Sequence, residues 1–374
     1  MPDFDINGFT ASGFEPVRNA FEANFVSGDE LGAGFCVFRG DDTLVDLTGG
    51  FSDRARTAPW AHNTIVPVFS TTKPIAALVM ASVIDMLTAQ YETPVAEIWP
   101  EFGTHGKAAV TIGELLSHQA GLPGFVDEID PALWLEPARC AAALAAQAPL
   151  WEPGTAHGYH PMSWGYFIGE LVQRLSSRSL GTILREDICE PNDIDFQIGI
   201  PASEDDRVAK LQRPKAMPDL GELNEATKVA FLTKWAAPNR NAEQWRRIEI
   251  PSANGHGTAR SVATLFGIYT SRGMLGGQRV ISPTAFAGLT QLRTRGSDLV
   301  LPFETGFGAG IMHNVAGLFG PNPNTLCHAG WGGSMGLADP DAGISAAYVM
   351  NQQSNHLMGD PRARCLIDAV YACL

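Results

Sequence analysis

The order of elements along the chain predicts an α+β fold (an α/β sandwich), in which an antiparallel β-sheet flanked by helices sits beside a mostly helical region. Three observations carry this expectation. Short β-rich runs lie toward both ends of the 374-residue chain while helical patterns fill its middle. No β-α-β repeat, the signature of a parallel sheet, precedes the last strand-rich stretch. Hydrophobic residues make up 45% and charged residues 18%, a composition that buries a sizeable core.

Each element follows in order. Phe14, Val17, Phe21 and Phe25 recur at helical spacing and predict an amphipathic helix over 14–28. Two β-rich runs, 34–38 and 43–47, are separated by Arg39-Gly40-Asp41-Asp42, which reads as a hairpin turn. An apolar run over 75–86 reads as a buried helix. Pro74 is tolerated only in a first helical turn, so that helix begins near Ser70. Helical patterns continue at 112–118, 137–147, 164–175 and 225–235. Beyond 250 come a helix over 261–270, glycine-punctuated segments at 306–313, 326–337 and 343–350, and a closing helix over 361–373. The segment 343–350 is the best strand candidate among the three. If the two strand-rich ends share one sheet, residues 1–73 and 251–374 form a sheet domain and 74–250 a mostly helical one. Functional groups then collect in the cleft between them.

Charge and targeting signals exclude several classes. A formal charge of −14 repels phosphates, and the densest basic spot is only Arg246-Arg247, so no nucleic acid partner is expected. The start, Met1-Pro2-Asp3-Phe4-Asp5, lacks the basic and apolar regions of a secretory signal. The 75–86 run is too short to span a bilayer and contains Asp85, so no membrane partner is expected and the default compartment is cytoplasmic. Six cysteines without C-x-x-C spacing read as buried thiols.

Ser70-Thr71-Thr72-Lys73 is the only S-x-x-K in the chain. With 19 serines and 6 lysines, about 0.3 matches arise by chance, so the tetrad gains weight only from its place at a helix start. There, positions i and i+3 share a face, which sets Lys73 one turn from the Ser70 hydroxyl, and the helix dipole favours an alkoxide. Burial lowers a lysine pKa and turns an ammonium into a usable base. The plain alternative is a capping serine followed by a surface lysine. Gly332-Gly333-Ser334-Met335-Gly336 matches the G-x-S-x-G nucleophile elbow. The acid and histidine partners that elbow requires are crowded into the last 40 residues, as Asp339, Asp341, Asp360 and His356, and the motif reads as a decoy turn beside the site. Nine histidines include His157 and His160 three apart, but no H-E-x-x-H, so no metal is expected. His118 reads as a structural hydrogen-bonding residue. Gly306-Phe307-Gly308-Ala309-Gly310 is not G-x-G-x-x-G and no Walker A sequence exists, so no cofactor is expected. Trp134, Trp151, Trp331 and Phe125 are candidates for an acyl pocket, against the plain reading of aromatic core.

S-x-x-K is the signature of serine β-lactamases and penicillin-binding proteins. The surrounding sequence resembles the class C branch of that superfamily and the related family VIII carboxylesterases. Leu115-Leu116-Ser117-His118-Gln119-Ala120-Gly121-Leu122-Pro123 resembles the family's LLxHxxGLP loop. Glu152-Pro153-Gly154-Thr155 followed by Tyr159 resembles its PG…Y segment. His328-Ala329-Gly330 stands where the family has K-T-G or H-x-G, and Trp331-Gly332-Gly333 resembles the W-G-G of the esterases. The resemblance implies a β-lactamase/transpeptidase-like fold with Ser70 as acyl-accepting nucleophile and Lys73 and Tyr159 sharing the proton work. It also implies an oxyanion hole from the backbone N–H groups of Ser70 and Trp331, with His328, Gly330, Trp331 and Gly332 at the substrate, to which the aromatic reading above adds Phe125. Two departures stand out. The family's Y-x-N reads Tyr159-His160-Pro161, and His328 replaces a lysine, which removes a fixed cation for a substrate carboxylate. Hydrolysis of a small-molecule ester is therefore expected. The alternatives are a β-lactamase or D-amino peptidase, an acyltransferase, and an inactive penicillin-binding module.

Overall fold

A computed structural model describes residues 4–87, 89–239 and 243–374. Fourteen strands are defined among them. In chain order they are β1 (Ile6–Thr10), β2 (Gly32–Arg39), β3 (Asp42–Gly50), β4 (Val66–Pro67), β5 (Phe196–Ile198), β6 (Gly255–Gly257), β7 (Met274–Leu275) and β8 (Gln278–Arg279). The remainder are β9 (Thr294–Ser297), β10 (Glu304–Phe307), β11 (Met312–His313), β12 (Leu326–Ala329), β13 (Met335–Asp339) and β14 (Ile344–Met350).

The two strand-rich ends do share one sheet. Its nine strands run in the order β1-β3-β2-β14-β13-β12-β11-β10-β9, antiparallel throughout. The seam between the ends is β14 on β2, with Ala346 opposite Val37 and Tyr348 opposite Phe35. Successive side chains point to opposite faces, and the packing follows that period. Phe35, Val37, Ala346 and Tyr348 pack with Phe21, Leu366 and Ile367 under the helices Glu15–Val26 and Pro361–Cys373. Cys36, Phe38, Ala347 and Val349 face the other way, toward Val262 and Phe266 of the helix Ala259–Thr270.

The 75–86 run forms the interior of the helix Thr72–Met86, in which every residue from Thr72 to Ala81 is buried. A helix apolar on all sides is stable only inside a large core. Here it packs against the helices Ser163–Ser176 and Pro283–Thr290. A second sheet of three strands, β4-β6-β5, had no readable signal, because two- and three-residue strands are too short to show alternation. Through β5 the middle of the chain contributes a strand as well as helices. The 225–235 helix is shorter than expected. It is α-helical over Glu225–Thr227, continues as a π-helical turn over Lys228–Leu232, and ends where Thr233 becomes extended. All six cysteines are free thiols, four of them buried. No helix of the described residues is long and apolar enough to cross a membrane.

Candidate active site

The chain leaves β4 and turns sharply before its central helix. Val68 N–H donates to Gly255 O at 2.8 Å and Gly255 N–H donates to Thr72 Oγ1 at 3.0 Å, which fixes the turn against β6. Phe69 takes a left-handed backbone at φ 48°, a conformation that costs a non-glycine residue about 1–3 kcal/mol and persists only where packing enforces it. A short 3₁₀ turn, Phe69–Thr71, then delivers Ser70 to the N-terminal end of Thr72–Met86. Pro74 sits in the first turn, where its missing N–H costs nothing.

Lys73 is fully buried. Its Nζ lies 3.3 Å from Ser70 Oγ, 2.8 Å from the Tyr159 hydroxyl, 2.9 Å from Pro161 O and 3.2 Å from Ser252 O. Burial pushes the amine well below the ordinary lysine value, and it pushes the Tyr159 phenol up, with a hydrogen bond from Ser70 acting in the opposite direction. A neutral amine has two N–H bonds and one lone pair. The two carbonyls can only accept, so each takes an N–H bond from the amine; in the neutral form the one remaining lone pair accepts from one hydroxyl at a time, Tyr159 at 2.8 Å or Ser70 at 3.3 Å. Tyr159 is in turn held by Asp298, whose Oδ1 accepts the backbone N–H groups of Tyr159 (3.0 Å), Val300 (2.8 Å) and Leu301 (2.9 Å).

On the opposite side of Ser70, β12 ends in a tight turn. Gly330 N–H donates to Ser334 O at 2.7 Å, and Gly333 N–H to Gly330 O at 3.1 Å. Gly330 is required by space: a Cβ there would lie 2.1 Å from Ser334 Oγ and 2.3 Å from Val68 O. Ser334 is buried and donates to Val68 O at 2.7 Å, so it ties this turn to the turn that carries Ser70. Ser70, Tyr159, His328 and Trp331 all line one cavity of about 880 Å³, whereas Ser334 does not.

Residues 17–370 match the sequence profile described as Beta-lactamase. The chain belongs to the Beta-lactamase family. It is 31% identical over 365 residues to "Esterase/beta-lactamase LipL" of Mycobacterium tuberculosis, covering 91% of this chain and 81% of that protein. Among solved structures of this fold, a penicillin-binding protein homolog from Caulobacter crescentus superposes with a TM-score of 0.96 at 50% identity, covering 99% of this chain and all of that one. A family VIII carboxylesterase superposes with a TM-score of 0.92 at 39% identity, with the same coverage.

Set beside the Beta-lactamase family pattern, the other expected residues divide. His328 lines the cavity, where its Nδ1 donates to Ala329 O at 2.7 Å, and burial pushes its pKa down to about 3. It is therefore uncharged at neutral pH and no substitute for a lysine. Gly330 and Gly332 shape the turn but lie off the main cavity wall. Phe125 departs from expectation. It packs against Trp134 at 5.0 Å in the core, and its carbonyl accepts from Trp235 Nε1, so it is not on the cavity wall. Trp134 is fully buried beside it, and Trp151 donates to Ala156 O, also off the wall.

The histidines lie near one another, with the His118 and His160 rings 5.4 Å apart, but their ring nitrogens are turned to separate partners. His157 pairs with Thr305 Oγ1 at 2.9 Å, while His160 accepts from Leu122 N–H at 2.9 Å and donates to Gly158 O. His118 Nδ1 accepts from His160 N–H at 3.1 Å, with its ring 4.9 Å from that of Tyr159. Among the described residues no cluster could hold a metal ion. Sequence reasoning missed the carbonyls of Pro161 and Ser252, which carry no residue-type signal. It also missed Asp298, which follows the end of β9 and whose only cue was the tripeptide Gly296-Ser297-Asp298.

Proposed function

We propose that the chain is a serine hydrolase that cleaves a compact, uncharged carboxylic ester through an acyl-enzyme on Ser70. The observation that carries this reading is the Lys73 amine, which touches the Ser70 and Tyr159 hydroxyls while two carbonyls occupy its N–H bonds. With the amine biased to its neutral form and the phenol to its protonated form, Lys73 is the base and Tyr159 the relay. Lys73 takes the Ser70 proton, directly or through Tyr159, as Oγ bonds to the ester carbonyl carbon. The oxyanion forms against the backbone N–H groups of Ser70 and Trp331. The bond from carbonyl carbon to alkoxy oxygen then breaks, and that oxygen receives the proton by way of Tyr159. Water repeats the sequence on the acyl-enzyme and releases the acid. The relatives named as esterases support the ester reading, and an uncharged His328 with Pro161 in place of an amide side chain speaks against anchoring a β-lactam carboxylate.

The test compares a 4-nitrophenyl ester with a chromogenic cephalosporin in the native chain, Ser70→Ala and Ser334→Ala. Ester turnover that is lost in Ser70→Ala and kept in Ser334→Ala is the expected result. Survival in Ser70→Ala overturns the assignment. Turnover of the cephalosporin above the ester moves the reading to β-lactamase, and turnover of neither moves it to a binding module.

A further inference from the structure

The cavity that holds Ser70 is walled on one side by β6 and the helix Glu243–Arg247. Three buried polar atoms in that wall find no partner among the described residues: Arg246 Nε, on a half-buried side chain that also reaches Asp205, and two ring nitrogens of buried residues. His256, 1% exposed, donates its Nδ1 proton to Asn254 O at 2.7 Å, which leaves Nε2 as a bare acceptor with no partner among the described residues. Trp245, 3% exposed, has an indole N–H that likewise finds no acceptor among them. The rings stand 5.9 Å apart at 64°. Asn254 holds both in place: it accepts from His256, and its Nδ2 donates to Trp245 O and Ile248 O at 2.8 Å each. The nucleophile is close by, since Phe69 packs on Trp245 at 6.3 Å and Pro67 pairs with His256 across β4 and β6.

A buried donor or acceptor left unpaired costs about 1–3 kcal/mol, so native structures rarely tolerate one, and two adjacent ones in a cavity wall need a reason. A ligand group that satisfies both must accept from the indole and donate to the imidazole. A carboxylate has no proton for Nε2, and an ammonium has no lone pair for the indole. A hydroxyl does both with a single oxygen. We infer that Trp245 and His256 form a subsite for a hydroxyl group on the ester substrate, carried by either its acyl or its alcohol part. This inference rests on the reading of Ser70 as an esterase nucleophile and narrows its substrate class to hydroxylated esters.

The test uses the full chain and isosteric ester pairs in which one chain position carries either a hydroxyl or a methyl group, on the acyl side in one series and the alcohol side in the other. The hydroxyl ester is expected to exceed its methyl partner in kcat/KM by about tenfold in one of the series, because rejecting the isostere leaves both buried groups unpaired. That ratio should fall toward one in Trp245→Phe and in His256→Phe; either variant suffices if the other fails to fold. The same pairs are titrated calorimetrically onto Ser70→Ala and Ser70→Ala/Trp245→Phe, which reads the subsite without turnover. Absence of turnover in the native chain with a preserved hydroxyl preference in Ser70→Ala binding would sink the esterase reading and keep the subsite. Equal affinity for hydroxyl and methyl partners in both series, or a preference that survives both substitutions, overturns the subsite.

Discussion

Lys73 is buried with desolvation as the single influence on its amine, and that bias has a sign that can be measured. Below the ordinary lysine value of 10.5, the unfolded chain binds a proton at this position that the folded chain refuses. Stability therefore rises with pH between the depressed and the ordinary value, and the folded chain holds the neutral amine throughout that window, losing it only below the depressed value. The kcat/KM of an uncharged ester is expected to rise with pH along one acid limb. Burial pushes His160 and His328 to about 3, so neither titrates near neutrality, and it lowers His118 in the same direction. A limb that vanishes in His328→Gln would transfer the base role to that histidine. Tyr159→Phe removes the proposed relay hydroxyl while keeping the ring, and a loss of about 10²–10⁴ in kcat/KM is expected from stopped-flow or steady-state assays. Rates unchanged in that variant would leave Tyr159 a packing residue.

The site is assembled by turns, and these set the consequences of substitution one level up. Gly330→Ala drives a Cβ into Val68 O, a backbone atom that cannot rotate away, so the β12 turn must part from the turn that carries Ser70. With the proposed oxyanion donors, the Ser70 and Trp331 N–H groups, misaligned, a loss of about 10²–10³ in kcat is expected while circular dichroism keeps its native form. Asp298→Ala strips an acceptor from three backbone N–H groups and is expected to cost about 1–3 kcal/mol in urea unfolding; Asp298→Asn, which keeps an oxygen, should cost less. These details mark the limit of legibility in the sequence. Ser70 and Lys73 were readable because i and i+3 share a helical face, and residues 361–373 were readable because Pro361 opens a periodic run. The carbonyls that cradle Lys73 belong to a proline and a serine far apart in sequence, and any residue type supplies a carbonyl. Phe125 failed for a related reason: apolarity forecasts burial, but not which side of a wall the ring occupies. Strand β5 was silent because three residues cannot display a period.

Across the whole molecule, chain ends and site are joined through one buried guanidinium. Arg362, at the start of the closing helix, donates to Glu30 at 3.0 Å, Asp360 at 2.8 Å, Gln352 O at 2.9 Å and Gly332 O at 3.3 Å. Glu30 also receives the Tyr348 hydroxyl. The first strands, the last helix and the turn beside Trp331 thus share a single charged knot. Arg362→Met leaves two buried carboxylates uncompensated, and a destabilisation of about 3–5 kcal/mol is expected by thermal or chemical unfolding. A loss below about 1 kcal/mol would make the knot incidental. The same architecture brings Ser70 from one turn and Lys73 from one helix to a tyrosine held by Asp298, and the chemistry proposed at Ser70 depends on all of it. The most direct measurement is peptide-mapping mass spectrometry after reaction with a 4-nitrophenyl phosphonate. A single adduct on Ser70 is expected, with the labelling rate at least about 100-fold lower in Lys73→Arg, whose guanidinium stays protonated. An adduct on Ser334 or any other side chain, or an undiminished rate in Lys73→Arg, would contradict a buried neutral lysine as the source of the nucleophile.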